Sequence, residues 1–247
     1  MSISILTNAI DIAGQQSYNQ LLGGAVKVTL KKHSASGKLR KLMTNDFFSN
    51  KKFLFDRWAP SYDWLFPSVF YRAVHKRLLE YVDLPESANV LDIGCGTGRL
   101  LERLATQFPD LQAVGLDLSA NMLRVARQSN RHRPRLIYVE GKAESLPFAD
   151  GQFDAVFSTI SFLHYLEPKQ VLSEIARVLS PGGRFYLVDF TSIKETEPQL
   201  LPVSPLGIRL YSPNQRQLLG SSAGLLCLNH HYLLGPVLLT VFAKPQI

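Results

Sequence analysis

The residues best suited to chemistry lie in one short run, VLDIGCGTGRL, at positions 90–100. Apolar residues and Asp92 lead into Gly94, Gly96 and Gly98, and a helical pattern starts at once. Without a Cβ, glycine lets backbone come close to a ligand. The N–H groups that open a helix favour a carboxylate or phosphate. The run therefore reads as a strand, a turn and a helix start able to hold a nucleotide-like small molecule. Two further groups could work with it. Asp117 ends a second apolar strand 23 residues after Gly94, where a carboxylate can accept ribose hydroxyls. His164 and Tyr165 close the run STISFLHY, 158–165. An imidazole titrates near neutral pH and can take a proton from an acceptor hydroxyl or ring carbon; a buried histidine at a helix start is the competing reading.

A dinucleotide fingerprint has its third glycine at the sixth place. Here that place is Arg99, and the third glycine falls one residue early, the wrong register for a nicotinamide dinucleotide. The D-x-G-x-G-x-G form from Asp92 to Gly98 resembles motif I of the class I S-adenosylmethionine-dependent methyltransferases. AVGLDLSANML around Asp117, VEGKAESLPFADGQFDAVFS and EIARVLSPGGRFYLVDF resemble the segments that follow it in that family, in the same order, over about residues 88–190. The resemblance implies S-adenosyl-L-methionine as cofactor. It places Gly94, Cys95, Gly96 and Gly98 against the donor, with Asp92 supporting the loop. Asp117 and its neighbour Leu118 fall at the ribose, Ala143 and Glu144 beside the adenine, and Ser158 at the end of the fourth strand. Lys142 stands where the family usually has an aspartate for the adenine amino group. An ammonium cannot accept that hydrogen bond, so the adenine side depends on backbone or on Glu144.

The run FDRWAPSYD before the first motif, with the LPF and RVLSPGG runs, is similar to the ubiquinone/menaquinone biosynthesis methyltransferase family. Members of that family methylate a ring carbon of a prenylated quinol, which implies a small aromatic or lipophilic acceptor. Displacement at a sulfonium needs the acceptor held opposite the methyl group. Charge on sulfur disappears on the way, so a dry, aromatic-rich cavity suits the reaction. Tyr62 is the candidate ring for the cationic donor, with core packing as the alternative. Two departures keep a lipid or another small aromatic acceptor open. Arg99 replaces an acid general in those enzymes, and the connection 191–211 is short for an insertion around a prenyl tail.

The elements that must position these residues alternate strand and helix. Strands are expected near 89–93, 112–117, 136–140, 153–159 and 184–190, with helices near 98–108, 119–129, 168–180 and 212–222. A closing hairpin at about 224–232 and 237–243 turns at Gly235-Pro236. Such alternation means an α/β, doubly wound, mostly parallel sheet covered on both faces. The resemblance implies seven strands in the order 3-2-1-4-5-7-6, the last antiparallel. Residues 83–247 form this domain. Residues 43–82 form a helical cap that carries 11 of the chain's 25 aromatic residues; Pro60 and Pro67 divide it, and its last helix is expected from about Ser68 to Val82. Cover of the active site and plain docking onto the sheet are both open for these rings.

The 247-residue chain carries a net charge of +7, but residues 1–42 hold six Lys/Arg against Asp11 alone, leaving 21 against 19 in the rest. The basicity belongs to a flexible extension. Disorder, targeting and upstream translation ahead of Met43 are its competing readings. The near-neutral body carries no general nucleic-acid footprint. An RNA-binding module or nucleic-acid methyltransferase anchored by the tail is the rival function, and STISFLHY lacks the Asn/Asp-Pro-Pro-aromatic run of amino-nitrogen base methylation. Cys95 and Cys227 offer neither a disulfide framework nor metal spacing, so no metal is expected. The compartment is expected to be reducing and cytoplasmic, with peripheral membrane contact open to the aromatic cap. His230 and His231 are neighbours on a strand and point to opposite faces.

Overall fold

The computed structural model describes residues 65–201 and 207–246. The extension, residues 43–64 of the cap, and with them Tyr62, lie outside the described residues. In chain order the elements are α1 (Leu65–Leu79), β1 (Asn89–Ile93), α2 (Arg99–Gln107), β2 (Gln112–Asp117), α3 (Ala120–Ser129), β3 (Leu136–Glu140) and β4 (Phe153–Thr159). A 3-10 turn (Phe162–His164), α4 (Pro168–Val178) and β5 (Leu179–Phe190) follow. The chain then forms β6 (Gln199–Leu201), β7 (Ile208–Leu210), α5 (Pro213–Ser222), β8 (Leu226–Leu234) and β9 (Val237–Ala243).

The main sheet has the order β3-β2-β1-β4-β5-β9-β8. β9 runs antiparallel to β5 and the rest of the core is parallel. With β6 and β7 set aside as a separate two-stranded ribbon, this is the expected seven-strand order. The ribbon falls in the connection after β5, where no strand was expected: three-residue strands are too short to show alternation.

Local chemistry explains the element ends. α2 buries Leu100, Leu101, Leu104 and Ala105 along one stripe, and each fully buried leucine contributes about 1.5–3 kcal/mol. The helix stops at Gln107 because Pro109 forces Phe108 into extended backbone. Ser119 caps α3 by accepting the Met122 N–H at 3.2 Å. Ser212 and Gln215 form a reciprocal capping box on α5. The helix expected to reach residue 180 stops short: α4 ends at Val178, and Leu179 already pairs with Phe153. Pro181-Gly182-Gly183 is a bulge within β5, because the ladder resumes only at Ala155 and Arg184.

The helices cover both faces. α1, α2 and α3 pack one face through residues such as Val74, Leu78, Leu104 and Leu123. α4 packs the other through Val171, Leu172, Ile175 and Val178. α1 starts three residues earlier than expected, with Pro67 in its first turn, where a missing N–H costs no helical bond. Phe70 stacks on Phe190 at 5.9 Å and Tyr81 on His231 at 4.2 Å, so both rings dock α1. His230 turns away and bonds Thr240 Oγ1 at 3.0 Å, as neighbours on a strand must. Asp154 is structural, accepting the Asn89 N–H at 2.8 Å. Arg135 donates to the Ala105, Phe108 and Leu111 carbonyls at the end of α2.

Candidate active site

Strand order reverses between β1 and β4, so the loops leaving these strands part and open a crevice at their carboxyl ends. A cavity of about 610 Å³ occupies it, the size of a small-molecule site. Its floor is the glycine loop. Gly94 and Cys95 donate N–H bonds to the Leu116 carbonyl at 2.8 and 3.1 Å, and the Gly98 N–H returns to the Cys95 carbonyl at 2.9 Å. These bonds fix the turn against β2.

The three glycines have different reasons to be glycine. A Cβ on Gly94 would stand 2.6 Å from Ser161 Cβ, and one on Gly98 would stand 2.8 Å from Tyr138 ring carbons and closer still to the hydroxyl. At Gly96, φ +53°, a Cβ would meet nothing within 4 Å, and this residue faces the cavity. Gly98 was expected to touch the donor and does not line the cavity; its missing side chain makes room for Tyr138. Gly94 lines the cavity while packing Ser161 behind it.

Asp117 joins the loop to the next helix. One carboxylate oxygen accepts the Gly96 N–H at 2.8 Å and the other the Ser119 N–H at 2.8 Å. Two backbone N–H groups thus orient the carboxylate within the fold itself. Leu118 and Met122 carry this wall on as an apolar surface, and Ala143 and Glu144 face it from the turn after β3. Lys142 lines the same stretch. Asp92, 2% exposed, also lines the cavity. Burial, then the charge of Asp117, pushes its carboxyl up to about 8, so it holds a proton at neutral pH. Burial likewise raises the Cys95 thiol, which stays protonated and is a wall residue, not a nucleophile.

The segment after β4 forms the opposite wall. Thr159, Ile160, Ser161, His164 and Tyr165 all line the cavity. Ser158 was expected there too, but it is fully buried and its hydroxyl bonds that of Ser161 at 2.7 Å; it supports the wall from behind. Ser161 is the hub that sequence reading missed: its hydroxyl also donates to the Ile93 carbonyl at 3.0 Å and receives the Tyr165 hydroxyl at 3.4 Å. Ile160 sits at φ 51°, uncommon for a β-branched residue, and its N–H is held by the Val188 carbonyl at 2.7 Å. Burial lifts the Tyr165 phenol well above its ordinary range, so Tyr165 stays protonated and can donate but not act as base. Asp189 steadies the 3-10 turn by accepting the Leu163 N–H at 2.8 Å.

α1 supplies a third wall from Tyr71, Arg72 and His75; cover by the cap's rings was one of the two open readings, and His75 is the residue that sequence reading missed. Tyr71 and His75 are four apart, the spacing of one helical face, and that was the available signal. Burial, with Arg103 nearby, lowers the His75 imidazole to about 3, so it is neutral.

A glycine loop at a strand-order reversal, with an oriented acid on the next strand, defines the S-adenosylmethionine-binding site of the class I methyltransferases. The chain belongs to that family. The family model of a methyltransferase domain matches residues 91–187. The ubiquinone/menaquinone biosynthesis C-methyltransferase UbiE of Syntrophotalea carbinolica is 32% identical over 183 residues, 70% of this chain and 71% of that one. The 2-phytyl-1,4-naphtoquinone methyltransferase of Thermosynechococcus vestitus is 34% identical over 147 residues, 58% of this chain and 65% of that one. The demethylmenaquinone methyltransferase of Paenarthrobacter aurescens is 36% identical over 165 residues, 64% of this chain and 58% of that one. The chain thus spans less than two thirds of these last two relatives. Among solved structures, a chain from the complex of a Haloferax volcanii methyltransferase with its Trm112 activator has TM-score 0.66 at 24% identity, covering 78% of this chain and 98% of that one. The [4+2]-cyclase SpnF has TM-score 0.64 at 21% identity, over 70% and 81% of the two chains. These likenesses concern the fold.

The cavity fits the donor of this family. The open Cβ position at Gly96 is a cradle for backbone contact, the Asp117 carboxylate is held in one orientation, and Asp117 and Glu144 suit a cation. No described helix is long and apolar enough to cross a membrane.

Proposed function

We propose that this chain transfers a methyl group from S-adenosylmethionine to a ring atom of a small lipophilic, aromatic acceptor such as a quinol. The observation that carries the reading is the sharing of one cavity by the glycine loop, Asp117, His164 and Tyr165. The donor supplies an activated methyl group that leaves a neutral thioether behind. Asp117 takes the ribose hydroxyls, with Leu118 and Met122 against the adenine and Glu144 at its edge. Gly94 and Gly96 give backbone contact to the methionine part. His164, which lines the cavity, takes the proton that an aromatic ring must lose once a carbon on it has gained a methyl group. Tyr165 orients the acceptor through its protonated hydroxyl. Quinone methyltransferases among the relatives support the acceptor class.

The test is methyl transfer from radiolabelled donor into demethylated naphthoquinol, simple phenols and phospholipid, each offered separately to the full chain. Label in the naphthoquinol is the expected result. His164→Ala should then lower turnover by about 10²-fold, the usual worth of a general base, with donor affinity kept. Donor binding without transfer to any quinol or phenol would defeat the acceptor assignment. RNA affinity that falls steeply with salt and disappears on removing residues 1–42 would favour the nucleic-acid rival.

A further inference from the structure

Charge divides the cavity wall. The carboxylates of Asp117, at the end of β2, and Glu144, after β3, line it beside the protonated Asp92 of β1, whereas Arg72 of α1 and Arg99 and Arg103 of α2 line it from the helices. His75 stands with them, 5% exposed, and its Nδ1 has no hydrogen-bond partner among the described residues. The buried Nε of Arg103 is also without an acceptor there. Neither Arg72 nor Arg103 joins an ion pair among the described residues. Guanidiniums held this close repel one another, and burial followed by the charges of Arg72 and Arg99 draws Arg103 below its ordinary range.

We propose that this end of the cavity is an oxyanion subsite for a carboxylate or phosphate carried by the methyl acceptor. The inference rests on the methyltransferase reading and narrows its acceptor to one with an acidic group beside the ring or chain that is methylated. An oxyanion relieves the repulsion among the arginines and accepts the Arg103 Nε–H in a charge-assisted hydrogen bond. The neutral His75 ring becomes a donor when its proton sits on Nδ1. The donor itself is a poor occupant. Its sulfonium and ammonium outweigh its single carboxylate, so it is a net cation, drawn to the acidic wall and opposed by the basic one.

The experiment uses the full chain saturated with S-adenosylhomocysteine, so that any contact to the donor's carboxylate is already made. Benzoate, phenyl phosphate and the neutral benzamide are then titrated by calorimetry. Benzoate or phenyl phosphate should bind while benzamide does not. Arg72→Gln with Arg103→Gln should weaken that binding by roughly tenfold or more, the scale of a lost charge-assisted hydrogen bond, and leave S-adenosylhomocysteine affinity unchanged. Arg72→Gln alone, at an exposed helix position, serves if the double variant does not fold. Equal binding of benzamide and benzoate overturns the subsite. So does a parallel loss of S-adenosylhomocysteine affinity, which would assign the arginines to the donor. A wild-type chain that ignores S-adenosylhomocysteine overturns the methyltransferase reading itself, an outcome distinct from silence toward benzoate in the loaded protein.

Discussion

Alanine at Gly98 and alanine at Gly96 should damage this protein in opposite ways, although both glycines belong to one motif. At Gly98, φ is +77° and the new Cβ would lie 2.8 Å from Tyr138 ring carbons, closer than side-chain carbons pack. The left-handed backbone costs a non-glycine residue about 1–2 kcal/mol. Moving the Tyr138 ring, itself only 5% exposed, adds about 1–3 kcal/mol of overpacking. Gly98→Ala should therefore lose about 2–5 kcal/mol of stability, enough to lower a urea midpoint by roughly 1 M or more. Gly96→Ala carries only the backbone cost, about 1–2 kcal/mol, because its Cβ meets no protein atom within 4 Å. That Cβ instead intrudes on the space reserved for the donor, and donor affinity should drop by roughly tenfold or more. Urea unfolding and donor titration by calorimetry read the two effects separately. The reasoning is refuted if Gly98→Ala is no less stable than Gly96→Ala, or if Gly96→Ala binds donor as the parent does.

Asp117→Ala should weaken donor binding by about 1–3 kcal/mol, and calorimetry showing unchanged affinity would remove the ribose assignment. Because Asp92 is raised to about 8 in the fold from an ordinary 3.8, the unfolded chain releases this proton first. The stability that Asp92 contributes is thus complete below about 4 and lost as pH rises toward about 8. A cationic donor favours the ionised form, so affinity should tighten as pH rises through the same window and flatten in Asp92→Asn; a pH-independent affinity in the parent would count against ionisation of Asp92 on donor binding. Arg216, 2% exposed, donates to the Leu238, Asp189 and Phe190 carbonyls at 2.9, 3.0 and 3.0 Å beside the Asp189 carboxylate. Arg216→Met should cost about 1–3 kcal/mol by leaving those buried carbonyls without their donor, and an unfolding midpoint equal to the parent's would show these bonds to be dispensable.

Sequence alone determined the order of the core strands and helices, the strand pairing class, the glycine loop and the acid that ends β2. Each of these is written locally, in apolar runs of strand length, glycines at a turn and a carboxylate at a strand end. Tertiary structure decided which motif glycine serves the ligand and which serves Tyr138, since Gly98 and Tyr138 are 40 residues apart in the chain and no local pattern records their approach. It decided that Ser161, and not Ser158, stands on the wall, with the left-handed backbone at Ile160 between the buried serine and the one that lines the cavity. It also set α1 across the start of α2, bringing Arg72 and His75 to Arg103. Such meetings depend on how faces pack across a sheet, and side-chain spacing along one helix specifies a face without naming what it will meet.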